Sequence, residues 1–556
     1  MNEKRGSLQR LATWCKNPPL FLLYLLFVVL SIGSVYWVYI DQGLTFYGDD
    51  MGFHLSRIEG LRQSLQQGDW FPKINYFITG GLGYATGIFY PDLFLYPAAL
   101  LRLSGLTVAQ SYLVFILLVS WGTFAISYHS YLYLTRSKGN SLIFAVLYGL
   151  SAYRMSDVIY RAALGEILAF MVLPFAFVGL YEVVSGNKTR WWLLAIGMSV
   201  LFYAHLLSAG LFLLFGLGFG CLNAPVLWRE KDRLLQLAKS AGLTILLTAY
   251  ALFPMIEQLQ FQPLRVQDEP VFYLQRMAES PLEYLQIALR NLGFNNIGLP
   301  TLLFFLLSVF LYRKLDRLNR QLVLLAGVFL FVATNYFPHW LFHGTPLNAI
   351  QFPWRYFLLV TFCVSWVFAG NWAKVFPKWP RVSVGVAGAA LLFVCAVQLA
   401  GQRQLATFEV RRGTQEVLNE VDGANQIGYG MEFLPSGMDS WAIPTGLLSE
   451  PSESVSLSNM SRQRNVFHLD FEAEEPVRLI FPLIHYKGYR VTVKGAGTAS
   501  QPQDGGMYGE SDMHGFLQVT VTGKGSLRLA YEGTLVQKTS TAISLLSLIG
   551  LCGYLG

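Results

Sequence analysis

The chain has 556 residues, a length that in a soluble protein divides into roughly three or four domains. Only 13% of them are charged, against about 25% in an ordinary globular protein, while 53% are hydrophobic and 15% aromatic. So little polar surface cannot cover the chain in water, and so much apolar length excludes disorder; the composition is that of a polytopic membrane protein.

The net charge of +7 fits Lys and Arg in cytoplasmic loops, and no nucleic-acid partner is implied. Cys15, Cys221, Cys363, Cys395 and Cys552 all lie in or beside apolar segments. None falls in 401–538, which excludes a disulfide framework or a Cys-clustered zinc site there.

A helix that crosses a bilayer needs about 20 apolar residues. The first run, Leu20 to Ile40, follows Lys4, Arg5, Arg10 and Lys16 and is too long for a signal-peptide core. It predicts an uncleaved anchor with its N-terminus in the cytoplasm, so that 41–106 lies outside. Within that loop, Phe53, Leu55, Ile58, Leu61 and Leu65 predict an amphipathic helix over 51–67, lying on the membrane or covering the first span. Asp92 to Gly105, about 14 residues long with Pro97 and Arg102 inside it, predicts an interfacial helix that does not cross.

Later apolar runs lie near 107–134, 139–155, 165–184, 191–206, 207–223, 233–255, 298–312, 320–337, 355–374, 382–400 and 540–556. Basic loops at Arg136/Lys138, Lys188/Arg190, Arg229–Arg233, Arg313–Arg320 and Lys374–Arg381 fall at alternate connections. That alternation predicts about eleven spans before residue 401 and one after 538, with 256–297 and 401–538 outside. The runs Arg464–Asp470, Val477–Leu483, Tyr489–Val493, Gly515–Val521 and Ser526–Tyr531 alternate in hydropathy and predict a small antiparallel β-sandwich. The division expected is a membrane domain over 1–400, a β-rich domain over 401–538 and a terminal helix over 539–556, short enough to be truncated.

Apart from His129, which lies toward a predicted cytoplasmic end, ionisable groups are nearly absent from the middles of the runs and gather at their predicted outer ends. Asp49, Asp50, His54 and Arg57 follow the first helix. Arg154, Asp157, Arg161 and Glu166 join the third and fourth spans, and His205 sits between the fifth and sixth. Glu257 opens a long outer loop, and Gln351 and Arg355 precede the tenth span. A coupled transporter holds such groups near the midplane instead. A polar site at the outer interface suits a substrate with a polar head and a lipid tail, and arginines at that depth suit a phosphate. The simpler readings are snorkelling arginines, a structural His205, and an Asp49–Asp50 pair that caps the following helix.

The ordered set GDDMGFHLSRIEGLRQSLQQGDWFP, GGLGYATGIFYPDLFLYPAALL, YRMSDVIYRAALGE, QFPWRYF, MEFLP and YKGYRVTVKG resembles the GT-C superfamily of membrane glycosyltransferases. It is similar especially to the bacterial YfhO-like and "6-pyruvoyl-tetrahydropterin synthase-related" membrane proteins. The resemblance implies transfer of a sugar from a polyprenyl-phosphate donor to an acceptor outside the cytoplasm, a cell-envelope polymer or glycolipid, in a bacterial cytoplasmic membrane. It implies a catalytic acid in the first outer loop, Asp50 first and Asp49 second. Arg154, Arg161, Arg355 and Arg57 are then the donor-phosphate ligands, and His54, Asp157, Glu166, His205, Glu257 and Gln351 are supporting residues. Some such enzymes use a divalent metal and many do not; no cofactor is fixed. In-line attack implies inversion. The competing class is a non-enzymatic exporter or scaffold for lipid-linked polysaccharide, which needs the arginines but no acid near the sugar. In the outer domain, His485 and Lys487 are candidate polymer contacts.

Overall fold

The computed structural model describes residues 19–40, 45–46, 48–268, 271–406, 412–413, 427–428, 430–438, 446–450, 454–463, 466–508 and 511–556. The basic N-terminal flank, Cys15 and Arg464 lie outside the described residues. Every apolar run read from the sequence carries a helix. These are Leu20–Gly33, Val108–Thr135, Lys138–Gly149, Leu164–Val184, Trp191–Ala204, Leu206–Leu222, Asp232–Phe261, Leu299–Phe310, Arg317–Val332, Phe357–Asn371, Pro380–Ala406 and Leu535–Leu555.

Six stretches among the described residues are long and apolar enough to cross a membrane: Val108–Thr135, Leu164–Val184, Asp232–Phe261, Pro353–Lys374, Arg381–Leu405 and Leu535–Leu555. Lys138–Gly149 with Ala152–Arg161, bent by 45° at their break, makes a seventh if the two count as one. Other apolar helices are short; the 12 residues of Leu299–Phe310 rise only about 18 Å, against a hydrocarbon core of about 30 Å. Leu164–Val184 and Pro353–Lys374 are packed about by protein, whereas Arg381–Leu405 and Leu535–Leu555 leave Leu392, Leu546 and Ile549 outward. The connection between the first two long helices shows the local logic. Arg136 takes a left-handed conformation (φ 59°) that ends Val108–Thr135, and the Ser137 side chain accepts from the Asn140 amide to start the next.

The chain groups into two compact units, one of 1–52, 105–244 and 272–420, the other of 53–104, 245–271 and 421–556. This grouping cuts across the linear division into membrane and outer parts. Its cause in the second unit is a shared core: Ile78, Tyr84 and Ile88 of the first loop, with Leu264 and Leu434, are buried together with Leu479, Phe481 and Leu517. Burial of apolar area groups them regardless of distance along the chain.

The second unit holds a seven-stranded antiparallel sheet: β1 (Leu448–Glu450), β2 (Val455–Gln463), β3 (Val466–Ile484), β4 (Tyr489–Gly495), β5 (Thr498–Ala499), β6 (Gln503–Asp504) and β7 (Phe516–Tyr531). Long β3 and β7 pair along their whole length. At one end β2 and β4 flank them; at the other, β1 lies on β3 while β5 and β6 lie on β7. Four runs read as separate strands are thus two continuous ones. The break in alternation is a bulge, because Val521 pairs with Val477 but Gly523 pairs with Ala473, leaving Glu474, Glu475 and Pro476 opposite one residue. A bulge is where a sheet interior tolerates proline. His485, just past the end of β3, is buried, its amide donating to the Gly515 carbonyl (2.8 Å) and its carbonyl accepting from Gln262 (2.6 Å), so it is not an exposed loop residue.

Met51–Gln66 is helical as expected but not a plain surface helix, since most of its residues, on all sides, are buried. Its charged side chains pair inside: Arg57 pairs with Asp92, and Glu59 takes both Arg62 and Arg102. The 92–105 stretch forms a short helical turn, Leu93–Leu95, and then the helix Tyr96–Leu103.

Candidate functional site

The first unit builds a polar site where a helix fails to continue. After Gly149 the chain breaks, turns through Ala152–Met155 and widens into the π-helical turn Ser156–Arg161. Such turns are local expansions of a helix, and they free carbonyls at its end. Ala162 is left-handed (φ 51°) and redirects the chain into Leu164–Val184. The freed Tyr160 and Arg161 carbonyls accept from the Asp49 amide (3.3 Å) and the Asp50 amide (2.7 Å). Gly48 makes this approach feasible, because a Cβ there would lie 2.7 Å from the Ala162 Cβ. The Tyr39 hydroxyl donates to the Val158 carbonyl (3.0 Å) as a second tie. The acidic pair is therefore held by backbone against 158–162.

Below it runs an ion network. Arg161 Nη1 donates to Asp157 Oδ1 (2.6 Å) and Glu166 Oε1 (3.0 Å). Arg355 Nε donates to the same Glu166 oxygen (2.9 Å), while Arg355 Nη1 reaches the Ile350 carbonyl (2.7 Å) and Gln351 Oε1 (3.1 Å). The Tyr153 hydroxyl donates to the other Glu166 oxygen (2.5 Å). Gln351 itself sits at φ 62°, which turns the chain so that Arg355 and Gln351 converge. Two guanidiniums thus face the carboxyls of Asp157 and Glu166 before any ligand arrives. Arg161 Nε and Nη2 and Arg355 Nη2 make no hydrogen bond among the described residues, and they are the donors left for a ligand oxygen.

Asp49 and Asp50 both keep open surface. Protein nevertheless surrounds Asp50 at longer range, and that loss of water pushes its carboxyl up to about 6, against the pull of Arg161 and Arg355. Such a carboxyl takes or gives a proton near neutral pH, with two cations at hand to stabilise an anion.

The remaining residues singled out from sequence fall in different places. Arg154 is wholly buried, donating to the Gly149 carbonyl (2.8 Å) and Ser120 Oγ (3.0 Å), with Nε enclosed and unpartnered. It bridges the helix break, satisfying a carbonyl the helix end leaves open. His205 separates Trp191–Ala204 from Leu206–Leu222, bonds Ser208 (2.8 Å) and lies within electrostatic reach of Glu166. His54, Arg57 and Glu257 belong to the second unit. There Arg57 donates to Asp92 (2.7 Å) and the Tyr90 carbonyl (2.9 Å), stacks over the Tyr90 ring (4.0 Å) and touches His54 (3.3 Å). Glu257 pairs with Lys487 (3.2 Å) and accepts from Thr534 (2.6 Å). Among the described residues no three His, Cys, Asp or Glu side chains converge as metal ligands.

Sequence reasoning missed Tyr153 and Asp92. A polar ring beside Arg154 at a helix break was the available signal for the first; a carboxylate within an apolar stretch was the signal for the second. The six sequence segments assemble in two groups. GDD, YRMSDVIYRAALGE and QFPWRYF meet in the first unit as above. In the second, Tyr84 accepts from the Phe433 amide (3.1 Å), Tyr486 donates to the Phe433 carbonyl (2.7 Å) and Phe89 stacks on the Phe433 ring (4.8 Å). No protein-family model matches the chain, and no curated protein is similar to it, so the chemistry of the site stands on its geometry.

Proposed function

We propose that the protein is a GT-C-type membrane glycosyltransferase that moves a sugar from a polyprenyl-phosphate donor to an acceptor outside the cytoplasm. Its twelve apolar helices then all cross a bacterial cytoplasmic membrane, the shorter ones where the protein thins the bilayer, with the N-terminus inside and the β-rich domain outside. Asp50 takes the proton of the acceptor hydroxyl. The acceptor oxygen bonds to the anomeric carbon as the bond from that carbon to the phosphate oxygen breaks, and the electron pair leaves with the phosphate. Arg161 and Arg355 stabilise the departing charge through the donors that Glu166 and Asp157 leave open. Attack opposite the leaving group inverts the anomeric centre. Arg154 acts on this site only through the helix break it holds.

One observation carries the reading: an open carboxylate, raised to about 6, within electrostatic reach of two arginines fixed by a buried acid. The purified protein is given synthetic polyprenyl-phosphate sugars with isolated envelope polymers and glycolipids, and product mass is measured. Asp50→Asn keeps size and removes basicity, so transfer falls roughly 100-fold or more while donor still binds. A defect confined to Asp49→Asn moves the base one residue and keeps the mechanism. Normal transfer in both single variants and in the double variant removes this acidic pair as the base, whereas no product from the wild-type protein with any of these donors and acceptors favours the exporter or scaffold.

A further inference from the structure

Tyr112 stands near the start of Val108–Thr135, in the first unit. A capping box fixes that start: the Gln110 amide donates to Thr107 Oγ1 (3.2 Å) and the Thr107 amide to Gln110 Oε1 (3.0 Å). The Tyr112 side chain is buried (2% exposed), and its enclosed hydroxyl has no hydrogen-bond partner among the described residues. A buried phenol ordinarily finds an acceptor, because an enclosed O–H without one forfeits the bonds that water gave it in the unfolded chain.

The Asp50 carboxyl and the Tyr39 hydroxyl both lie within electrostatic reach of Tyr112. Tyr39 already gives its proton to the Val158 carbonyl (3.0 Å), and its neutral oxygen is a weaker acceptor than a carboxylate. Asp50 is the reverse of Tyr112. Its amide is held by the Arg161 carbonyl (2.7 Å), yet its carboxyl accepts no hydrogen bond among the described residues. A donor without an acceptor thus stands beside an acceptor without a donor. A general base has to be oriented as well as placed. The backbone places Asp50, while Arg161 and Arg355 are bonded to Glu166, which leaves the orienting bond to be supplied.

We propose that Tyr112 is a positioning residue for Asp50, its hydroxyl donating to the ionised Asp50 carboxylate and holding it in one orientation for the proton it takes. The purpose of this bond rests on the glycosyltransferase reading; the bond itself does not. Ser111, one residue away, is equally buried with an unpartnered Oγ and serves as the comparison.

Full-length wild-type, Tyr112→Phe and Ser111→Ala proteins in detergent micelles are treated with dicyclohexylcarbodiimide, which reacts with protonated carboxyls, from about pH 4 to about pH 9. The adduct on Asp50 is quantified by fragmentation mass spectrometry, with Asp50→Asn as the blank. Phe keeps the ring and removes only the hydroxyl, so packing is retained. The wild-type adduct should halve near pH 6. In Tyr112→Phe that midpoint should rise by about one to two units, the effect of losing a hydrogen bond to the charged form. Ser111→Ala should leave it in place. Equal midpoints in wild type and Tyr112→Phe overturn the proposal. So does the same rise in Ser111→Ala, which would mark a loosened helix start. The acid limb of transfer should move up with the Tyr112→Phe midpoint. A shifted midpoint with no transfer from any donor fails the glycosyltransferase reading and leaves the Tyr112–Asp50 bond; transfer with an unshifted midpoint does the opposite.

Discussion

Asp50 and Glu166 divide the labour of the site, and each has a consequence measurable without substrate. The Asp50 carboxyl is raised from about 3.8 to about 6. Below about pH 4 it is protonated in both folded and unfolded chains; between about 4 and 6 the folded chain holds the extra proton, so its stability falls as pH rises. Above about pH 6 the folded state carries the full penalty of a charged carboxylate short of water. Asp50→Asn should therefore raise the thermal midpoint at pH 7.5 and leave it unchanged below pH 4. If Asp50 is the base of the proposed transfer, the rate should fall as pH drops through about 6, and that acid limb should vanish in Asp50→Asn. Glu166 is the reverse case, a buried acid that holds Arg161 and Arg355 together. Glu166→Gln leaves Arg355 without a carboxylate among the described residues and should cost about 3–5 kcal/mol in reversible unfolding. Adding Arg355→Met should cost less than the sum of the two single changes, because it removes the stranded charge.

At the scale of elements, the broken helix decides where the acids sit. Gly48→Ala brings a Cβ to 2.7 Å from that of Ala162 and must push the Asp49–Asp50 turn off the Tyr160 and Arg161 carbonyls. Overpacking of this kind costs about 1–3 kcal/mol, and hydrogen exchange at the Asp49 and Asp50 amides should accelerate. Ala162→Gly should act oppositely on strain, since glycine takes φ 51° freely; a gain of up to about 1 kcal/mol is expected from thermal unfolding. The β3–β7 pair shows why strand ends were misplaced from sequence. Glu474, Glu475 and Pro476 interrupt the alternation, which the sequence alone presents as a turn. The continuous partner strand carries β3 across them as a bulge, a decision made by pairing and not by the three residues themselves.

For the molecule as a whole, the shared core of the second unit predicts that the seven-stranded sheet is not self-sufficient. A fragment of residues 427–533 lacks Ile78, Tyr84 and Ile88, which are buried with Leu479, Phe481 and Leu517. It should bind a hydrophobic dye and self-associate on size exclusion. A monomeric, dye-silent fragment would show instead that the sheet closes its own core. The sequence by itself determined the apolar runs and their helices, because a run of apolar residues with internally satisfied backbone depends on nothing distant. It also supplied the candidate residues, since charge beside an apolar run is visible one residue at a time. Which charges meet was decided only by the tertiary structure. Glu166 and Arg355 are 189 residues apart, Arg57 and Asp92 lie on different elements, and Tyr153 resembles any aromatic residue of a membrane helix until Glu166 stands 2.5 Å away. Pairing energies depend on distance in space, on which a linear pattern is silent, and so the arginines that the sequence offers as candidate phosphate ligands are held first by the protein's own carboxylates and carbonyls.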